Sequence, residues 1–119
     1  MIAYASRTGT RRNLAGLRAA GWRLMVSAKG VLRHEGFAYA LDNGAWTAHV
    51  QGLPFDEAAF MKALDMLGEA ADWIVLPDVV AGGLRSLEFS LAWAERLRHP
   101  RQMIAVQDGM SIDDVRPCL

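Results

Sequence analysis

The tightest constraint on this chain is an alternation. Short apolar runs, each closed by polar or glycine residues, are separated by segments whose apolar residues recur at helical spacing. Ile2-Ala3-Tyr4-Ala5 opens the series. After the loop and cap residues Ser6, Thr8, Gly9 and Thr10, Leu14, Ala15, Leu17 and Ala20 mark one face of a helix that Gly21 stops. Trp22-Arg23-Leu24-Met25-Val26-Ser27 is then a second strand. Two strands joined through a helix pair most naturally in parallel, because a crossover returns the chain to the same end of the sheet.

The pattern continues. Tyr39-Ala40-Leu41-Asp42 is a third strand, ending at Asn43-Gly44. Gly52, Pro54 and Asp56 open a helix with Phe60, Ala63, Leu64, Leu67 and Ala71 on its apolar face. Trp73-Ile74-Val75-Leu76 is a near-continuous apolar strand of the kind covered on both faces. Beyond the Gly82-Gly83 loop, Leu84, Leu87, Leu91 and Ala94 form the stripe of another helix, broken before Pro100. Met103-Ile104-Ala105-Val106 is the last strand, and Ser111 with Asp114 predicts a capped helix starting at Ile112. Such alternation predicts a single α/β domain over residues 1–119 with a mainly parallel sheet. A closed (β/α)₈ barrel needs eight strands and about 250 residues. The chain is therefore expected to form an open sheet or the first half of such a barrel.

Composition narrows the class. At 52% hydrophobic residues the chain has material for a core, and intrinsic disorder is excluded. The apolar runs are too short to span a membrane. Met1 to Arg7 lacks the charged region and long apolar stretch of a signal peptide, so a cytoplasmic protein is expected. The single cysteine, Cys118, excludes an internal disulfide framework and a cysteine-rich zinc site. Net charge is zero, which disfavours a nucleic-acid-coating protein. The charge is unevenly placed, however. Arg7, Arg11, Arg12, Arg18, Arg23, Lys29 and Arg33 precede the first acid, Glu35. That third of the chain either meets an anionic partner or consists of solvated helix and loop positions.

The candidate site follows from position. Asp42, Asp78 and Gln107-Asp108 each lie directly after an apolar strand. In parallel α/β folds those carboxyl ends converge on the ligand crevice. Each also has a plainer reading. Asp42-Asn43-Gly44 is compatible with a β-hairpin turn, Asp78 with a helix cap, and Gln107-Asp108-Gly109 with an ordinary strand-to-helix turn. Trp46 follows the Asp42 loop and is placed either to stack on a planar ligand or to pack in the core. Trp22, Trp73 and Trp93 read as core or helix–sheet packing. His34, His49 and His99 lack metal-ligand spacing.

On these motifs the chain resembles the tRNA-guanine transglycosylases, and more closely their relatives that place 7-deazaguanine bases in DNA. Asp42-Asn43-Gly44-Ala45-Trp46 is similar to the family's Asp-Ser-Gly-Gly-Phe motif, Pro77-Asp78 falls where the family has a second aspartate, and Val106-Gln107-Asp108-Gly109 is similar to its Val-Gln-Gly-Gly segment. The resemblance implies a base-binding half of a (β/α)₈ barrel that takes guanine or a 7-deazaguanine, with DNA or tRNA as the nucleic-acid partner. Asp42 would then be the catalytic acid–base or base-positioning group. Asp78 and Gln107 would read the base edge, with Trp46 and Asp108 beside them. A carboxylate suits the two N–H donors of a guanine edge, and an amide suits its carbonyl. The family's nucleophilic aspartate and zinc cysteines have no counterpart here, so the chain alone is expected to bind without catalysing exchange. No cofactor is implied. An unclosed half-barrel exposes two sheet edges and an apolar interior, so a homo-oligomer or a complementing chain is expected. Two readings from other classes stand beside this one. The first is a hydrolase or lyase holding a divalent metal on Asp42, Asp78 and Asp108. The second is a non-catalytic interaction module.

Overall fold

The computed structural model describes residues 1–119. Five strands form one sheet: β1 (Tyr4–Ser6), β2 (Arg23–Ser27), β3 (Tyr39–Asp42), β4 (Ile74–Val75) and β5 (Gln102–Met103). Their spatial order is the chain order, and every pairing is parallel. Helix α1 (Arg11–Ala19) joins β1 to β2. Helices α2 (Ala45–Val50) and α3 (Glu57–Ala63) lie between β3 and β4, with α3 running on into a π-helical turn, Leu64–Gly68. Helix α4 (Leu84–Arg96) joins β4 to β5, and α5 (Ile112–Val115) with a 3₁₀ turn closes the chain. No helix is long and apolar enough to cross a membrane.

Sequential order matters more than strand number. Right-handed crossovers that always step in one direction place every helix on the same face. A doubly wound sheet would reverse once and cover both. This is an α/β fold with the arrangement of the first half of a (β/α)₈ barrel, as the alternation predicts. The faces differ accordingly. Leu24, Val26, Leu41, Ile74 and Leu76 point toward the helices and are fully or almost fully buried, packed with Phe60, Ala63 and Trp93. Truncating Phe60 to Ala in such a core costs about 3–5 kcal/mol. On the other face the register sets Ser27 beside Asp42 and Val75 beside Met103. Met25, Ser27, Asp42 and Val75 there are only partly covered, and Met103 is exposed.

Several local expectations are met. Asp56 caps α3, its carboxylate accepting from the Ala59 N–H at 3.0 Å. Ser111 and Asp114 form a reciprocal capping box at α5. Others need correction. Asn43-Gly44 is not a hairpin turn, because β3 and β4 are parallel and the chain turns directly into α2. Trp22 is 41% exposed rather than core. In α4, Leu84 and Leu91 face outward. The buried side is Ser86, Leu87, Ser90 and Trp93, because the two serines bond backbone groups of the strand-end loop, which an apolar stripe does not register.

Candidate functional site

Helix-connecting loops at the carboxyl ends of β3, β4 and β5 enclose a groove of about 520 Å³. Asp42, Trp46, Asp78, Gln107 and Asp108 all line it. Residues separated by up to 66 positions in sequence therefore share one concavity, as their common place after the strands requires.

Its centre is built around Asp78. Asn43 is 3% exposed, and its side-chain amide donates to the Leu76 carbonyl and to Asp78 Oδ1, both at 2.7 Å. Gln107 donates to Asp78 Oδ2 and to the Ser86 hydroxyl, both at 2.9 Å. The carboxylate is thus held by one amide on each oxygen. Each oxygen keeps a free lone pair toward the groove. The supports are themselves fixed. Asn43 Oδ1 accepts from the Ala45 N–H at 2.7 Å, Gln107 Oε1 from the Gly82 N–H at 3.1 Å, and Ser86 Oγ from the Val79 N–H at 3.0 Å. Ser90 donates to the Pro77 carbonyl at 2.7 Å. Buried polar groups are tolerated when satisfied in this way.

This arrangement corrects one expected role. Both amide hydrogens of Gln107 are spent inside the protein, so the side chain has none left for a ligand carbonyl. Gln107 positions Asp78. Asn43 does the same from the other side and was not singled out from sequence, where it stands merely as a neighbour of Asp42. Ser86 was also missed. Two hydroxyls four residues apart, on the helix face that also carries Leu87 and Trp93, are the signal that would have found both serines.

Asp42 is placed differently. It forms no ion pair, and the Gly44 N–H donates to its Oδ2 at 3.1 Å. Burial pushes its carboxyl above the ordinary aspartate range, and the nearby Asp78 charge adds to the rise. Hydrogen bonds from the backbone of Gly44 and Asn43 and from Ser27 offset only part of it. Asp42 therefore holds a proton to higher pH than an exposed aspartate. Gly44 makes the tight turn possible. Its φ is +78°, and a Cβ there would lie 2.5 Å from Lys29 Cγ. Lys29 is in turn fixed by an ion pair with Asp56 at 2.7 Å.

Trp46 is 65% exposed on α2 at the rim of the groove, with the His49 ring 5.7 Å away, so it is not a core residue. Asp108 is on the exposed rim as well. Asp42, Asp78 and Asp108 share the groove but do not converge as a metal-ligating group, so the metal reading has no ligand set in this geometry. Cys118 is a free thiol at the far end of the chain. Comparison with known proteins finds no match to a family model, to a curated protein or to a solved structure.

Proposed function

We propose that the chain is the base-binding half of a transglycosylase-like barrel, recognising guanine or a 7-deazaguanine in a nucleic-acid modification system. The observation that carries this reading is the fixed carboxylate of Asp78, presented to the groove by Asn43 and Gln107. A guanine edge offers two adjacent N–H donors, and a carboxylate held in one plane accepts both. Trp46 supplies a stacking face for the planar ring, worth roughly 1–3 kcal/mol per base. Asp42, protonated over a wider pH range than usual, supplies a proton to a ring nitrogen at the same groove.

The role of sugar nucleophile falls to none of these groups, so binding without exchange is the expected behaviour of the 119-residue chain. The open sheet face, with Met103 exposed, and the edges β1 and β5 fit completion by a second copy or a complementing chain.

Calorimetry with guanine and 7-deazaguanine tests the reading. Binding is expected without added metal, and Asp78→Ala removes it. Radiolabelled base exchange into DNA or tRNA is expected to stay at background. No binding of either base, or stabilisation by Mg²⁺ that chelation reverses, overturns the base-binding reading. Robust exchange overturns the incomplete-site reading, and Asp108→Ala is then the first variant to make.

A further inference from the structure

A second groove, of about 330 Å³, lies at the carboxyl ends of β1 and β2. Ser6, Arg7, Ser27, Gly30 and Asp42 are among the residues that line it. Asp42 also lines the first groove, so the two meet at the end of β3. Their chemistry differs. The first is walled by carboxylates. The second shares Asp42 but adds an arginine and two hydroxyls.

Arg7 is the residue that calls for explanation. It is the first residue after β1, and its backbone N–H is anchored to the Met25 carbonyl at 3.0 Å. Its side chain is only 14% exposed. A guanidinium carries five N–H donors. In Arg7, Nη2 donates to Glu35, while Nε is buried with no acceptor at all. Leaving a charged donor buried and unpaired is costly. An oxyanion accepting from Nε and a terminal nitrogen together is the bidentate mode that guanidinium groups favour. The surroundings add positive potential. Arg11 and Arg12 occupy the first turn of α1, are exposed and form no ion pair, although a helix N-terminus ordinarily favours acids. Glu35 is the one carboxylate held against this loop.

We propose that this second groove is a phosphate-binding subsite, with Arg7 as its cation and the hydroxyl of Ser6 as a further donor. It takes the phosphate attached to the nucleoside whose base occupies the first groove. The site itself stands on Arg7, and its assignment to one ligand with the base rests on the base-binding reading. Arg7 follows β1 and Asp78 follows β4, three ladder spacings or roughly 14 Å apart, a span that one nucleotide covers with its base toward Asp78 and its phosphate toward Arg7 once the inward reach of the two side chains is counted. Asp42, between the two grooves, holds its proton to higher pH than an exposed aspartate, which lessens its repulsion of a phosphate in the acid range.

Calorimetry on the full chain separates the possibilities. Guanine, guanosine, guanosine 5′-monophosphate and a single-stranded trinucleotide with a central guanine, carrying only phosphodiesters, are compared. A phosphate is expected to improve affinity over guanosine about tenfold. Arg7→Gln removes that gain and leaves guanine and guanosine unchanged. Arg7→Lys keeps the charge beside Glu35, loses the fork, and also loses most of the gain. A gain with the trinucleotide assigns a strand phosphodiester, and a gain only with the monophosphate assigns a free nucleotide. No gain from either, or a gain that survives both substitutions, overturns the subsite while guanine binding stands. If guanine itself fails to bind, the base reading fails. The subsite is then judged by inorganic phosphate, whose perturbation of the Arg7 and Ser27 amide resonances must vanish in a folded Arg7→Lys variant.

Discussion

Two carboxylates at opposite ends of the sheet have opposite fates. Asp72 precedes β4, at the amino end of the sheet. It accepts from the Tyr4 hydroxyl and from the Arg23 guanidinium, each at 2.7 Å. Although burial works against it, those two hydrogen bonds and the Arg23 charge hold its carboxyl below the ordinary range. Asp42 lies at the carboxyl end. It has no cation, and burial with the Asp78 charge nearby holds its carboxyl above that range. The amino end closes its polar groups on one another, with Trp73 packed edge-on against Tyr4. The carboxyl end leaves Asp42 uncompensated and presents Asp78 with free lone pairs. In (β/α)₈ barrels the same division separates the end that holds the fold from the end that carries the site.

The largest expected effect separates the two ends outright. Asp78→Ala should weaken guanine binding by roughly 100-fold or more, since it removes a charged partner for two donors. Asp72→Ala should leave guanine affinity unchanged while lowering the melting temperature. Equal losses of affinity from both substitutions would erase the distinction. Next comes the scaffold of the groove. Asn43→Ala leaves the Leu76 carbonyl and the Ala45 N–H without their side-chain partner, and should cost about 2–3 kcal/mol in urea unfolding. Trp46→Ala should leave urea unfolding unchanged, because the ring is mostly exposed, yet reduce guanine affinity about tenfold. A change in stability without a change in affinity would make Trp46 a packing residue.

The smallest effect is the most discriminating in sign. A carboxyl held above its unfolded value favours the fold while protonated, and that contribution is lost as pH rises through the raised range. Asp42→Asn should therefore raise the melting temperature at neutral pH and converge with the parent chain in acid. A carboxyl held below its unfolded value stabilises above the ordinary aspartate range and loses that contribution as pH falls. Asp72→Asn should accordingly lower the melting temperature at neutral pH, again converging in acid. Thermal melts across this range check both, and shifts of the same sign would contradict the comparison.

Much of the architecture was legible because parallel strands announce themselves as apolar runs. The strand within Trp73-Ile74-Val75-Leu76 could be read directly, though only Ile74–Val75 pair as β4 and its Val75 face is partly open, and so could the Asp56 cap and the shared destination of Asp42, Asp78 and Gln107. What escaped was set by tertiary contacts. Helix α2 has six residues and begins at a left-handed glycine, so its local signal matches that of a hairpin turn. Ser86 and Ser90 sit on the buried side of α4 because the loop after β4 needs their hydroxyls, a demand visible only once that loop is placed. The role of Gln107 turned on which of its hydrogens were already spent, and no spacing rule carries that information.

The central claim is that Asp42 is an uncompensated carboxyl at a ligand groove whereas Asp72 is a closed structural one. Carboxyl ¹³C NMR titration of both residues, with and without saturating guanine, tests it most directly. Asp42 should titrate above the ordinary aspartate range and Asp72 below it, and guanine should shift the Asp42 midpoint and leave that of Asp72 in place. An Asp42 midpoint at or below that of Asp72, or a guanine-induced shift at Asp72 and none at Asp42, would contradict the account.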